Sequence, residues 1–550
     1  MHNLRTLLIV LDGVSYSVFN QFRYSLSTIN NLAENGNYGK LESVFPAITP
    51  VALASLFTGA LPSTHGITAP KIFIKGASLS KPLTAYSSIP LKADPIWSVF
   101  AKKGYKVVVT TAPQALPDKW GLDNLLLFDP YKARIKNCSK GYLLKIGNNV
   151  INEIRIDVEN SIDEYIVKII DVENNTTELN LRKNEWSKPI EATMKCKVKT
   201  VKGVFMLKGL NDSIYLTPPS FLTPNWSNNF ELEKEVWENV VKIHGMNLDG
   251  DYLSLKSNII SFKEYFDTIK LTFEFFYNYS LYLLNKLDWD FAITYLPIID
   301  NIQHLLFGVD DSTALDYLFQ AYKMADDFVK PHIQLADNII ICSDHGINKV
   351  KKRVYINKFL EKLNVLKINN GEIDWKRTKA YYGGGGLIRI NLKEREKFGI
   401  VKKNEFAKLV KYITSSLEKL EDPENNERVL TLIVSNEMPA DDRQGDIVIL
   451  GVNSKYSISN SIEKDSVFED VIPYTSITAD HGYYNDEDMN GIIIFYGKIF
   501  KKQKIDAKIV DVMPTILKIY GINWKTDGKI LHEVFKNEFT NSNKQKAQKT

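Results

Sequence analysis

The sequence predicts an α/β fold: a central, mostly parallel sheet flanked by helices, with an inserted all-β module and a smaller α/β cap. Three observations lead to this prediction. Short apolar runs alternate with helical segments up to residue 130, a period of two replaces that rhythm over residues 131–225, and the α/β rhythm returns from residue 226. Alternating strands and helices are typical of βαβ units, whereas period two is typical of strands with one buried face.

The predicted core comprises residues 1–130, 226–364 and 476–537. Its predicted strands are the apolar runs TLLIVLD, YKVVVTT, NLLLFD, DFAITYLP, NIIICSD and GIIIFYG. Helices are expected near 50–58, 94–103 and 313–333, and a long amphipathic, aromatic-rich helix near 262–287. The segment VDVMPTILKIYGI then predicts a helix after the last strand.

Two insertions interrupt this core. Residues 131–225 hold period-two runs such as NEIRIDVE and EYIVKIID with Asn, Gly and Asp between them, which predicts an all-β module. Residues 365–475 hold a run of glycines, the strand-like LIRINL and a helix near 403–420, which predicts a cap. Residues 538–550 are polar and unpatterned, so we expect a disordered tail.

Composition excludes several classes of protein. With 44% hydrophobic and 24% charged residues over 550 positions, the chain is typical of globular proteins and not of disordered ones. A net charge of +4 is too dilute to indicate a nucleic-acid polymer or a membrane surface as partner. No apolar stretch reaches about 18 residues and the N-terminus lacks a signal-peptide pattern, so we expect no membrane span.

The three cysteines, Cys138, Cys196 and Cys342, are far apart and show no C-x-x-C spacing. This pattern supports neither a disulfide framework nor a thiolate zinc site. We therefore expect a reducing compartment, and we predict a cytoplasmic protein.

Carboxylates and histidines stand at the ends of several predicted strands: Asp12, Asp300, His304, Asp344, His345, Asp480 and His481. The spacing of Asp300 and His304 places both on one face of a helical turn, and such donors suit Zn or Mn. Asp344 follows a strongly apolar strand, where a buried carboxylate needs a partner or a metal. Structural alternatives exist for each position taken alone, namely a turn at Asp12, a surface pair at Asp300 and a turn at Asp480.

Thr49 and Pro50 open a predicted helix. Thr as N-cap and Pro at the first helical position form a good helix start for purely structural reasons. The same geometry also permits catalysis, because a hydroxyl at a helix N-terminus stands beside unpaired N–H groups that can hold a phosphoryl group. The sequence leaves both interpretations open.

The order of these motifs resembles that of the type I phosphodiesterase/nucleotide pyrophosphatases of the alkaline phosphatase superfamily. It runs from Asp12 through FPAIT with Thr49, TGALPSTHGI at 58–67, Asp300-x-x-x-His304 and SDHG at 343–346 to His481-Gly482-Tyr483. The resemblance covers the α/β core and implies an alkaline phosphatase-like fold. It does not account for the β insertion.

The resemblance also implies a two-metal hydrolase with Thr49 as catalytic nucleophile and a covalent phosphothreonine. One divalent ion would be held by Asp12, Thr49, Asp344 and His345, and the other by Asp300, His304 and His481. Zn is expected first, with Mn or Fe as alternatives. The substrate would be a small phosphorylated molecule, with a nucleotide among the candidates. We expect all these residues to meet at one edge of a single sheet.

One position departs from the family. Its members carry Asn three residues after the nucleophile, where this chain has Ala52, which leaves a phosphomonoesterase or phosphonate hydrolase as an alternative. A sulfatase is rejected because Thr49-Pro50-Val51 provides no Cys or Ser. A phosphoglycerate mutase is also less well supported, because those related enzymes use Ser as the nucleophile. A non-catalytic binding or scaffold protein is the alternative from a different class.

Overall fold

The computed structural model describes residues 4–484 and 487–539. Most of the tail predicted at 538–550 lies outside the described residues. Eight strands of the described part form the central sheet, numbered here in chain order: β1 (Thr6–Leu11), β2 (Asn37–Glu42), β3 (Val107–Val109), β4 (Leu125–Leu127), β5 (Phe291–Leu296), β6 (Asn338–Cys342), β7 (Gly491–Gly497) and β8 (Gln503–Lys508).

The strand order across this sheet is β8-β2-β7-β6-β1-β5-β3-β4. Within these eight strands, β7 alone runs antiparallel to its neighbours. Every residue of β1, β5 and β6 is buried, which is expected for central parallel strands covered on both faces. The predicted α/β fold with a mostly parallel sheet is therefore confirmed.

Helices cover the sheet and account for the predicted helical segments. Those of seven or more residues in the described chain are Tyr16–Phe22, Ser27–Asn35, Thr49–Thr58, Ile96–Lys102, Phe230–Val236, Phe262–Lys286, Ile298–Leu306, Ser312–His332, Ile356–Lys362, Lys403–Leu417 and Ile509–Ile519. Shorter helices are Pro62–His65, Lys242–His244 and Tyr252–Lys256. The 25-residue helix begins at a capping box formed by Ser261 and Glu264, a pairing that satisfies two unpaired backbone donors.

The period-two segment forms three small sheets with a hydrophobic cluster of their own. Their strands are Tyr142–Leu144, Gly147–Ile151, Ile154–Asn160, Glu164–Ile170, Thr176–Arg182, Ile190–Cys196, Lys199–Phe205, Leu207–Gly209, Ile214–Leu216 and Ser220–Phe221. Each pairing among them is antiparallel. This geometry explains the alternation of apolar and polar residues along the segment.

A second hydrophobic cluster joins the cap to neighbouring segments, since it includes Phe73 and Val354 besides residues within 365–475. The strands of this region are Lys352–Tyr355, Ile368–Asn369, Glu372–Ile373, Ala380–Tyr382, Leu387–Ile390, Leu430–Ser435, Ile447–Val452, Tyr456–Ser459 and Phe468–Asp470. Two-residue strands elsewhere are Lys71–Ile72, Leu83–Thr84, Asn348–Lys349 and Ala479–Asp480. The domain boundaries given above stay predictions.

Among the described residues, no helix is both long enough and apolar enough to cross a membrane. Cys138, Cys196 and Cys342 are free and buried. The cytoplasmic location stays a prediction.

Candidate active site

Three carboxylates meet where the adjacent strands β6, β1 and β5 end. Asp12 directly follows β1, Asp344 comes two residues after β6, and Asp300 lies in the first turn of the helix that follows β5. Gly13 lies between them with φ +69°, and its N–H donates to Asp344 Oδ1 at 3.1 Å. A Cβ at Gly13 would stand 2.8 Å from Asp300 Cβ. Glycine is required there for both backbone conformation and space.

Three histidines surround these carboxylates with the same tautomer. Nδ1 of His304, His345 and His481 lies 2.8, 2.9 and 2.7 Å from the backbone carbonyl oxygens of Ala479, Gly346 and Ala47. Because a carbonyl oxygen only accepts, each Nδ1 carries a proton, and Nε2 of the neutral ring offers its lone pair. This is the arrangement in which histidine binds a metal ion.

The Nε2 atoms face the carboxylate oxygens. His345 Nε2 lies 3.2 Å from Asp344 Oδ2 and 3.6 Å from Asp12 Oδ1. His304 Nε2 lies 3.4 Å from Asp300 Oδ2, and His481 Nε2 lies 3.8 Å from Asp300 Oδ1. The structure thus brings the six predicted Asp and His residues into one cluster.

Three oxygens of this cluster are buried without a hydrogen-bond partner, namely Asp12 Oδ1, Asp300 Oδ1 and Asp344 Oδ2. Unpaired buried carboxylate oxygens are costly unless a cation compensates them. Ligand atoms within 4.8 Å of one another form three groups among the described residues: Asp12 with Asp344 and His345, Asp300 with His345 and His481, and His304 with Asp480 and His481. The side chains therefore fit metal ions, and adjacent groups share a histidine.

The electrostatics of the carboxyls point the same way. Burial raises the pKa of Asp12 well above its ordinary value, and the charges of Asp344 and Asp300 raise it further. Burial likewise raises the pKa of Asp344. At Asp300 burial also favours the neutral acid, but the neighbouring histidines, chiefly His304, outweigh it and lower the pKa. Two of the three carboxyls thus resist ionisation in the absence of a cation.

Thr49 lies at this cluster, but the capping interpretation of its side chain is wrong. The helix Thr49–Thr58 has Ile48 as its N-cap, without a side-chain capping bond, and Pro50 takes the second helical position. The hydroxyl of Thr49 instead lies 3.1 Å from His345 Nε2. The local pattern predicts a cap, whereas in the folded chain the hydroxyl contacts His345, which is distant in sequence.

The structure corrects one expectation about His481. This residue does not follow a strand of the central sheet, because it comes after Ala479–Asp480, which pairs with Asn348–Lys349 as a separate two-stranded ribbon. The ribbon brings His481 beside the sheet edge, where its ring stacks on that of His345 with centroids 3.6 Å apart.

Two residues near the site were not among the predicted ligands. Asp480 joins His304 and His481 in one potential metal group, and the repeated Asp-His-Gly motif was the available signal. Tyr295 donates its hydroxyl proton to Asp12 Oδ2. No sequence signal distinguished Tyr295 from other buried aromatic residues of β5.

The chain matches the sequence profile of type I phosphodiesterase / nucleotide pyrophosphatase over residues 6–484. The protein belongs to this family. Membership confirms the resemblance, shows that the protein is a hydrolase and supports hydrolysis of phosphodiester bonds. The family is metal-dependent, in agreement with the buried Asp and His cluster. The result favours an enzyme over a non-catalytic scaffold.

Comparison with curated protein sequences gives no significant match. Murine ectonucleotide pyrophosphatase / phosphodiesterase 5 is similar in structure, with 14% identity, 97% of this chain and 100% of that chain covered, and a TM-score of 0.50. Its human counterpart has 14% identity, coverage of 96% and 97%, and a TM-score of 0.46. An inactive form of the murine protein in complex with AMP has 14% identity, with 97% of this chain and 100% of that chain covered, and a TM-score of 0.49. At this identity, the TM-score of 0.50 with the murine protein shows a common fold.

Proposed function

We propose that the protein hydrolyses a phosphodiester, pyrophosphate or related phosphoryl bond of a small substrate through Thr49 and a covalent phosphothreonine. A nucleotide is among the candidate substrates. One observation carries the proposal: the Thr49 hydroxyl makes no capping bond and lies 3.1 Å from His345 Nε2. A hydroxyl that is not used for capping and lies beside a cluster of metal-ligand side chains is the arrangement expected for an activated nucleophile.

The proposed ligands follow the family pattern. Asp12, Thr49, Asp344 and His345 would hold one divalent ion, and Asp300, His304 and His481 the other, with Zn expected before Mn or Fe. When bound, two such ions would lower the pKa of the attacking hydroxyl and compensate charge on the phosphoryl oxygens.

The residues of the chain then have defined tasks. Thr49 Oγ1 loses its proton to solvent and forms a bond to phosphorus, while the leaving oxygen departs with the electron pair of the broken bond and takes up a proton from solvent. Water attacks the resulting phosphothreonine, which releases the phosphoryl product and returns the hydroxyl of Thr49. The carbonyls of Ala479, Gly346 and Ala47 keep the three histidine rings oriented through both steps.

A phosphomonoesterase or phosphonate hydrolase on the same site is the second candidate. The observation that favours it is Ala52, which is completely buried and offers no donor at the position of the family's Asn. Turnover of bis-p-nitrophenyl phosphate against p-nitrophenyl phosphate, with Zn²⁺ or Mn²⁺ added to metal-stripped protein, separates the two activities.

Thr49→Ala tests the nucleophile. Turnover should fall by a factor of about 100 or more, which corresponds to about 2.7 kcal/mol in the activation barrier. Thr49→Ser should retain partial activity, because a primary hydroxyl can still attack. Initial rates at saturating metal, metal content and melting temperature are the measurements.

Thr58→Ala is the matched control, because Thr58 belongs to the same helix and its hydroxyl donates to the carbonyl of Ala54. It should leave turnover unchanged apart from any loss of folded protein. If Thr49→Ala keeps more than about a tenth of the rate, water attacks the substrate directly and the covalent mechanism is wrong.

A further inference from the structure

A cavity of about 430 Å³ adjoins Thr49. Asp12 and Asp300 of the candidate site line it together with Thr49, and so do Lys132 and Arg134. The two basic residues belong to the segment FDPYKARIK, where the core leads into the β module. Neither residue takes part in the proposed phosphoryl transfer through Thr49, although both share a cavity with this nucleophile.

Lys132 is held by two oxygen atoms of the chain and keeps an N–H group available for a ligand. Its Nζ donates to the carbonyl oxygen of Tyr86 at 2.7 Å and lies 3.5 Å from Asp129 Oδ2. The side chain is 28% exposed, so a ligand in the cavity can reach it. An ammonium group has three N–H donors, and these contacts do not use all of them.

Arg134 is fixed more firmly. Its Nη1 lies 2.8 Å from Asp249 Oδ2, and its guanidinium lies over the ring of Tyr131 at 5.2 Å. Asp249 Oδ1 accepts from Tyr131 Oη at 3.1 Å and from Asn301 Nδ2 at 3.4 Å. This network orients the guanidinium before any ligand arrives, and four of its five N–H donors are not used by Asp249 Oδ2.

The residues around the reacting phosphoryl group and the two basic residues belong to different parts of the chain. Thr49 and the Asp and His cluster surround the point of attack, whereas Lys132 and Arg134 come from the start of the β module. Ala52 provides no donor to the substrate. A substrate that occupies the whole cavity therefore meets two cationic side chains beyond the reacting group. Each lies beside a carboxylate that also lines the cavity, Asp129 for Lys132 and Asp249 for Arg134, and each keeps N–H donors that its carboxylate does not use.

We propose that Lys132 and Arg134 bind a second anionic group of the substrate, a phosphate or a carboxylate, beside the phosphoryl group that Thr49 attacks. This inference rests on the proposed function and makes the two residues determinants of specificity. Charge-assisted hydrogen bonds to phosphate or carboxylate are the contacts for which a pre-oriented guanidinium is suited. In a partly enclosed cavity such contacts are stronger than in bulk water.

Ligand binding to the Thr49→Ala variant, supplied with Zn²⁺, tests the proposal without turnover. Calorimetry would compare inorganic phosphate with pyrophosphate, which adds a second phosphate, and with phosphonoacetate, which adds a carboxylate. Adding Lys132→Gln and Arg134→Gln should weaken binding of pyrophosphate, phosphonoacetate or both by about tenfold or more, and binding of phosphate by less than about threefold. The probe that loses more affinity identifies the second group.

Lys136→Gln is the matched control, because Lys136 is exposed, close in sequence and absent from the cavity wall. It should change none of the three affinities. Lys132→Arg keeps the charge and should keep the affinity for the preferred probe within about threefold, which separates a binding role from a structural one.

An equal loss for all three probes, or no loss for any, overturns the proposal. Melting temperatures of the variants identify any loss of affinity that arises from unfolding. If unsubstituted protein neither binds phosphate nor turns over bis-p-nitrophenyl phosphate or p-nitrophenyl phosphate, the proposed function itself fails, and that result is distinct from a failure of the two basic residues.

Discussion

Two clusters of buried charged side chains, one in the cap and one at the candidate active site, differ in how their charges are compensated. In the cap, Arg389 Nε and Arg395 Nε donate to Glu396 Oε1 at 2.8 and 2.7 Å. Arg395 also reaches both oxygens of Asp446 through Nη1 and Nη2, at 2.6 and 2.7 Å. Two cations and two anions therefore compensate one another within the chain.

The cluster at the active site contains carboxylates and histidines instead. Asp12 accepts a hydrogen bond from Tyr295 at Oδ2, but its Oδ1 is buried without a partner. Within the described residues, histidine is the only basic residue in ion-pair contact with Asp12, Asp300 or Asp344. Asp12, Asp344 and His345 are as deeply buried as the charged residues of the cap, so burial alone does not distinguish a structural ion network from a metal site. The supply of cationic side chains does.

Asp446→Asn should have the largest effect on stability, because it leaves two buried guanidinium groups, those of Arg389 and Arg395, with the single carboxylate of Glu396. Breaking a buried pair on one side costs about 3–5 kcal/mol. Urea unfolding of the variant should show this loss, while its metal content stays that of the unsubstituted protein.

Asp465→Asn is the control, since Asp465 is an exposed carboxylate of the same region. It should change the free energy of unfolding by no more than about 0.5 kcal/mol. A stable Asp446→Asn variant would mean that the cap tolerates an uncompensated cation, and the contrast between the two clusters would lose its basis.

Tyr295→Phe should have an intermediate effect, on metal affinity rather than on folding. The change removes the hydroxyl that donates to Asp12 Oδ2, and loss of such a supporting contact typically lowers metal affinity about 10- to 100-fold. Competition with a chelator measures this affinity.

Tyr279→Phe is the matched control, because it removes a buried tyrosine hydroxyl that donates to the carbonyl of Thr110 and not to a proposed metal ligand. It should leave metal affinity unchanged. Equal metal affinity in both variants would remove Tyr295 from any role at the site.

Asp12→Asn should have the smallest effect and the opposite sign. In metal-stripped protein it should raise the free energy of unfolding by about 1 kcal/mol, because it removes an uncompensated buried charge. Burial in the folded protein raises the pKa of Asp12 above its ordinary value of 3.8. The stabilising contribution of the protonated group is therefore fully present below pH 3.8 and is lost as pH rises through the folded pKa. The gain should be larger near pH 8 than near pH 5.

With metal supplied, Asp12→Asn should lose this advantage, because a ligand is missing. Asp446→Asn should destabilise the protein with or without metal. Thermal unfolding of both variants at the two pH values makes the comparison, and a destabilised metal-free Asp12→Asn variant would contradict the proposed need for an external cation.

The amino-acid sequence by itself determined the central strands and the carboxylates that follow them. Asp12, Asp300 and Asp344 each follow a strongly apolar run, and the carboxyl ends of adjacent parallel strands necessarily meet at one edge of a sheet. Asp300 and His304 were likewise predictable as a pair, because a helical turn places residues four apart on one face.

Only the tertiary structure decided how the remaining groups reach this edge. His481 lies on a ribbon formed by segments more than 100 residues apart. The hydroxyl of Thr49 faces His345 instead of capping its helix. Lys132 lines the same cavity as Asp12, Thr49 and Asp300. Local patterns in a sequence report the period and ends of an element. Contacts between distant segments depend on the packing of whole elements, which no local pattern encodes.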